Sequence, residues 1–402
     1  MILLSAILGC SPEVVPPPPS PPSPPPLPIT AAAEFEVPDP RQGEVRGVWV
    51  TRWSYRSPED VDQIFADLHE AGFTHVLFQV RGQFDAYYHS QLEPWAAGLT
   101  GQLGRDPGWD PLQVAVEAAE DNALELHAWV NVFTLWPSQT VPRSVGVPHP
   151  LQVHPDWKIR DRSGRSRHPR HHYQFASPGH PEVQAHLVEV VADIAGRYDI
   201  DGIHLDYIRY PGRDFGYDDA SVQAAGEVAD FDAWRRHQIV SLVQAMDAQV
   251  DIPLTAATWG IYEDRWGWRV PGGRDEYHQD SREMLRAGSL RAIAPMIYWP
   301  VQGRRGQRLD FATLAVDHVR SRGTGQVWAG INADKLRWEQ VADCVRAARR
   351  AHTDGVVLFE YLALRDKGWL PRLRVLFDEA MPEHQRHPLT NLAERQSSEL
   401  GD

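Results

Sequence analysis

The chain has 402 residues, 42% hydrophobic and 23% charged, which is enough apolar material for a sizeable core. Its net charge of −14 argues against nucleic acid or an anionic membrane surface as a partner, because both demand a cationic face. Two cysteines, Cys10 and Cys344, rule out a disulfide framework. Length alone predicts two domains, but an α/β barrel with long loops absorbs most of it as one. Fifteen Trp and twelve Tyr are many, and sugar-binding clefts use such flat aromatic faces as well as cores do.

Residues 1–10, MILLSAILGC, form a short apolar run with Gly9 just before the cysteine. The run resembles a bacterial lipoprotein signal, in which the cysteine becomes the acylated N-terminus, so Cys10 is the expected lipidation site. No Lys or Arg precedes it. Residues 11–43 read as a linker, and 12–28 are almost all Pro and Ser. Such a stretch is extended polyproline of about 3 Å per residue, a spacer that lifts a domain off a membrane. No other run is apolar for long enough to span a bilayer. Residues 44–381 form the expected folded domain and 382–402 a polar tail.

Within 44–381, short β-branched or aromatic runs alternate with amphipathic segments. Strands are expected at 44–50, 75–81, 125–131, 201–207, 253–260, 291–299, 326–332 and 355–361. The first intervening helix has Ser57 at its N-cap, Pro58 at N1 and Gly72 at its close. Cys344, in the helical pattern QVADCVRAARRA, reads as a small core residue. Eight strands interleaved with helices predict an α/β fold, the (β/α)8 TIM barrel with long βα loops. A doubly wound sheet is the rival, but no Gly-rich phosphate turn follows the first strand.

The fourth strand, DGIHLDYIRYP, carries the polarity of a barrel strand. Ile203 and Leu205 face the helices, while His204 and Asp206 face the axis, with Asp206 at the mouth and His204 one layer deeper. Other strands also end in polar or aromatic residues: Gln79 and Arg81, Trp129 and Asn131, Trp259, Tyr298 and Trp299, Asn332, and Glu360. The loops 82–110, 132–180, 211–231 and 260–280 are long and rich in Trp, Tyr, Pro and Arg, which favours a structured cleft. His168, His171 and His172 cluster in RHPRHHYQ, but no Cys or carboxylate stands at zinc-ligand spacing. The cluster reads as a basic loop beside the cleft, and neither metal nor cofactor is expected.

The segments EVRGVWVTRW, HVLFQVRGQFDAYYHSQLEPW, ELHAWVN, HPDWKIRD, DGIHLDYIRYP and APMIYWP follow one another in that order. This array, from about Glu44 to Tyr361, closely resembles glycosyl hydrolase-like family 10, a barrel domain of bacterial lipoproteins. The resemblance implies a glycoside hydrolase of the cell envelope, with members acting on peptidoglycan glycan strands. The family's usual fourth strand has an Asp-Asp pair; here it reads Asp206-Tyr207, so the second acid is replaced.

Glycoside hydrolysis generally needs two carboxyl groups across the scissile bond. Asp206 is the first candidate, and Glu360 and Glu263 are candidates for the second. Asp85 is a further possibility that binds a sugar hydroxyl instead. Asp201 is excluded, because five residues along a strand set it roughly 16 Å away at the barrel bottom. Arg81 and His204 are expected to hold Asp206 ionised, unless Arg81 anchors the rim structurally. Trp129, Asn131, Tyr207, Trp259, Tyr298 and Trp299 are expected to contact sugar. The residues and the resemblance together imply an envelope-anchored hydrolase of a polysaccharide, peptidoglycan glycan or an amino-sugar exopolysaccharide, working by two-carboxylate acid/base chemistry. The alternative is a glycan-binding lipoprotein with a degenerate barrel.

Overall fold

The computed structural model describes residues 43–138, 140–169, 173–301 and 309–380. Cys10, the Pro-rich linker up to Gln42, the tail 382–402, His171 and His172 lie outside the described residues. Among the described residues ten strands occur: β1 (Val45–Val50), β2 (His75–Arg81), β3 (Glu125–Asn131), β4 (Thr134–Trp136), β5 (Gln174–Phe175), β6 (Gly202–Asp206), β7 (Leu254–Trp259), β8 (Ala292–Met296), β9 (Gln326–Asn332) and β10 (Gly355–Phe359). Eight of them close into a parallel barrel in the order β1-β10-β9-β8-β7-β6-β3-β2. The fold is the (β/α)8 TIM barrel. The remaining pair, β4 and β5, forms a two-stranded antiparallel sheet inside the long segment after β3.

Alternation along the strands divides the apolar residues into two cores. Trp49, Leu77, Trp129, Ala257, Ala294, Trp328 and Val357 fill the barrel interior. Their neighbours, among them Val48, Val76, Ala128, Ile203, Leu205 and Val356, pack outward against the helices. Both faces are therefore dry, as an all-parallel sheet requires. The helix Pro58–Glu70 starts as the sequence predicts: the Ser57 hydroxyl accepts from the Asp60 amide, and the Asp60 carboxylate accepts from the Ser57 amide in return.

Two helices that the periodicity did not reveal, Tyr361–Asp366 and Leu370–Asp378, follow β10. Buried Arg349 reaches Glu44 through two bonds of 2.7 and 2.8 Å and also donates to the carbonyls of Leu376 and Phe377. The last helix is thereby tied to the start of the first strand. Among the described residues, no helix is long and apolar enough to cross a membrane.

Candidate active site

Parallel register sets the mouth of the barrel. Asn131 of β3 stands beside Asp206 of β6, and Trp129 beside His204. All four alternate inward, and Trp129, Asn131 and Asp206 reach one cavity of about 190 Å³. Asp206, Asn131, Trp129 and Gln79 line it from the strands. Arg209 and Tyr207 line it from the turn after β6, and Tyr173 from the long segment after β3. Trp49, Tyr298 and Phe359 complete an aromatic wall, with Arg52 and Trp53 at its edge. Trp53 is 58% exposed, and the Arg52 guanidinium lies over its ring at 4.1 Å.

Among the described residues, Asp206 is the only carboxylate that lines this cavity. Its carboxyl is 7% exposed and accepts from the Tyr207 amide at 2.6 Å, and the Arg209 guanidinium stands 3.6 Å away. Burial pushes its pKa above the ordinary value, against the pull of Arg209 and of the Tyr207 amide. Tyr207 follows with φ of +50°, a left-handed conformation that costs a bulky residue energy and turns the chain sharply away from the strand. Its ring then lies under the Arg209 guanidinium at 4.5 Å.

Two polar atoms beside Asp206, Arg209 Nε and Asn131 Oδ1, are buried and make no hydrogen bond, while the Arg209 and Trp129 side chains interact with the Asp206 carboxyl itself. Each unmade bond costs about 1–3 kcal/mol, and native chains keep few such groups. Both atoms belong to residues that line the same cavity, where a polar ligand can meet them.

The other expected site residues divide. Tyr298 lines the cavity as foreseen. His204 lies one layer below it: Nε2 accepts from the Trp49 indole at 3.1 Å, and Nδ1 meets the Thr255 hydroxyl at 2.9 Å. Nδ1 therefore carries the proton. Burial, with neighbouring His127, holds this imidazole well below its usual pKa, so it is neutral and lends Asp206 no charge. It props Trp49 instead.

Arg81 also differs from expectation. The register between β2 and β3 slips between Gln79 and Arg81, and the bulge re-aims the side chain out of the inward row. Fully buried, it grips Glu93 at 2.6 and 2.7 Å and the carbonyls of Asn131 and Val132. The cation beside Asp206 is Arg209, which the sequence held in plain view three residues further on.

None of the other expected acids lines the mouth cavity. Glu360 is the N-cap of the helix Tyr361–Asp366, accepting from the amides of Leu362 and Ala363 at 3.3 and 3.0 Å. Glu263 is 42% exposed and pairs with Arg265 at 3.8 Å. Asp85 is buried and accepts from the Gln83 amide at 2.9 Å. Trp259 stands at the rim, its ring 5.9 Å from the Arg209 guanidinium and its indole donating to the Pro271 carbonyl. Trp299 packs against the outer core. Among the described histidines of the RHPRHHYQ loop, His168 lies against Phe215 with ring centroids 5.7 Å apart.

Residues 44–345 match the family model described as glycosyl hydrolase-like 10. The chain belongs to the glycosyl hydrolase-like 10 family. "Glycosyl hydrolase YngK" of Bacillus subtilis (strain 168) is 28% identical over 288 residues, 64% of this chain and 54% of that protein. "Glycosyl hydrolase DigH" of Escherichia coli (strain K12) is 28% identical over 266 residues, 60% of this chain and 58% of that one. The chain thus spans little more than half the length of these relatives.

Among solved structures, the PgaB (BpsB) glycoside hydrolase domain from Bordetella bronchiseptica superposes with a TM-score of 0.62 at 14% identity, covering 84% of this chain and all of that one. The catalytic domain of β-amylase from Paenibacillus polymyxa gives 0.55 at 10% identity, covering 88% and 98%. At such identities these neighbours speak for the barrel alone. Family membership places the chain in a glycoside hydrolase-like group.

Proposed function

We propose that this member of the family is an envelope-anchored glycoside hydrolase that cleaves a polysaccharide built from acetylated amino sugars, first of all peptidoglycan glycan strands, with an amino-sugar exopolysaccharide as the second choice. The observation that carries the reading is the buried Asp206 carboxyl beside Arg209, set in an aromatic wall at the C-terminal end of a parallel barrel. The Arg209 guanidinium at this cavity, with Nε lacking a hydrogen bond, favours a glycan that bears carboxylates, as muramic acid does.

Asp206 is the general acid. Burial raises its carboxyl, which favours the protonated form that delivers a proton to the glycosidic oxygen. Because Asp206 is the one acid lining the cavity, the expected two-carboxylate scheme lacks its second member there. The substrate supplies the nucleophile: the carbonyl oxygen of the neighbouring 2-acetamido group attacks the anomeric carbon as the leaving oxygen takes the Asp206 proton. Water then opens the cyclic intermediate, returning a proton to the Asp206 carboxylate. Replacing Asp206 by Asn should lower the release of reducing ends from purified sacculi by a factor on the order of 10² to 10⁴. Equal cleavage by the Asn variant would remove Asp206 from the mechanism.

Tyr207 in place of the family's second aspartate supports one rival, a glycan-binding protein without cleavage. Sacculus binding by a wild-type chain that releases no reducing ends would establish that rival. Anchoring rests on Cys10 at the end of its apolar run. Expressed in a bacterial host, Cys10→Ala should move the protein from the membrane to the soluble fraction, and unchanged fractionation would refute lipidation.

A further inference from the structure

The opposite end of the barrel holds a second cavity, of about 410 Å³, lined by His75, Glu125, His127, Asp201, Arg291 and Trp328 among others. Strand register explains the first three. His75 of β2 pairs with Glu125 of β3, and His127 lies two residues further along the same face of β3. Their side chains therefore converge: one nitrogen from each imidazole and one carboxylate oxygen all lie within 4.8 Å of one another. Ligand atoms around a tetrahedral zinc at ~2.0–2.2 Å are roughly 3.4 Å apart, so small side-chain rotations close this set.

We propose that His75, Glu125 and His127 form a binding site for a divalent transition-metal ion, Zn²⁺ by donor type, at the N-terminal end of the barrel. Two imidazoles and one carboxylate are a zinc-competent donor set that leaves a fourth position open. The ligands sit on two hydrogen-bonded strands, and each ring is held from behind. The Thr74 hydroxyl meets His75 Nδ1 at 2.9 Å, which leaves Nε2 directed at Glu125, 3.0 Å away. The His127 ring lies against Gly202, where a Cβ would come within 2.6 Å of Cε1, so glycine there makes room for the ring.

His127 is 2% exposed and lines the same cavity, so its ring is fixed at the cavity wall. The Glu125 side chain is 59% exposed and gives the ion a route in. Arg291 in the same cavity opposes a cation, but two carboxylates, Glu125 and Asp201, outnumber it. At this end of a barrel such an ion clamps β2 to β3 rather than serving the distant mouth.

The test uses the full-length chain stripped with a chelator. Calorimetric titration with Zn²⁺ should show one equivalent bound, and Co²⁺ should give visible d–d absorption. Glu125→Gln and His75→Gln should each weaken Zn²⁺ binding more than about tenfold, and Thr74→Val by on the order of tenfold. Glu125 is exposed, so its Gln variant is expected to keep the metal-free melting temperature, which serves as the folding control. The absence of stoichiometric Zn²⁺ binding by the wild type overturns the proposal. So does binding of undiminished affinity in both Gln variants, because the ion would then sit elsewhere.

Discussion

At the scale of single residues, the mouth depends on the partnership of Asp206 with Arg209. Burial raises the Asp206 carboxyl, and the guanidinium 3.6 Å away opposes that rise without cancelling it. A general acid works only while protonated, so kcat/KM should fall as pH rises through the Asp206 pKa. Arg209→Met removes the opposing cation. The alkaline limb of the pH profile should therefore move to higher pH, even as affinity for an anionic glycan drops. A limb that stays in place would show that another group controls it. Arg52 is the other cation of this cavity, and the Tyr173 hydroxyl accepts from it at 2.8 Å, so its position depends on the long segment after β3.

At the scale of elements, the segment after β2 is pinned by a buried charge cluster. Arg81 meets Glu93 in a forked pair, and His186 of the helix Pro181–Arg197 reaches the same carboxylate at 2.9 Å. Burial alone would raise the Glu93 carboxyl, but the Arg81 charge and the His186 and Arg81 hydrogen bonds outweigh it and hold the pKa at about 2. A depressed carboxylate stabilises the fold fully above its ordinary pKa, near 4.5. That contribution is lost as pH falls from about 4.5 to about 2. Glu93→Leu leaves Arg81 buried without a countercharge and should cost about 3–5 kcal/mol at neutral pH, read by chemical denaturation. In the same variant the acid-side loss of stability over that window should flatten. A variant as stable as the wild type would mean that Arg81 finds other partners or water.

At the scale of the whole molecule, closure joins the two ends of the folded chain. β1 pairs with β10 from Val45↔Gly355 to Trp49↔Phe359, and the Arg349–Glu44 pair backs that seam with the last helix. Arg349 is 2% exposed and shares its donors among Glu44 and the carbonyls of Leu376, Phe377 and Glu379. Arg349→Met should strand Glu44 and those carbonyls. A loss of about 3–5 kcal/mol is expected, seen as a lowered melting temperature with protease cleavage beginning in the helix Leu370–Asp378. A melting temperature within a degree of the wild type would show the seam to rest on β-pairing and apolar packing alone.

The barrel was legible in the amino-acid order because it is written in local periods. Alternation assigned Ile203 and Leu205 outward and His204 and Asp206 inward, and the same rule located all eight barrel strands within a residue or a few. Asp206 followed from alternation plus its place at a strand end. What alternation cannot say is which partner each inward side chain meets, since partners come from strands and loops far away in sequence. A bulge turned Arg81 from the rim to Glu93, a helix start claimed Glu360 as its cap, and a sharp turn at Tyr207 brought Arg209 beside Asp206. Trp49, Arg52, Trp53 and Tyr173 joined the cavity with little local signal. The lower triad needed cross-strand register to bring His75 beside Glu125. Periodicity is a property of a few consecutive residues and survives in the sequence. Register, bulges and loop paths minimise the energy of the closed structure as a whole, and only that structure decides them.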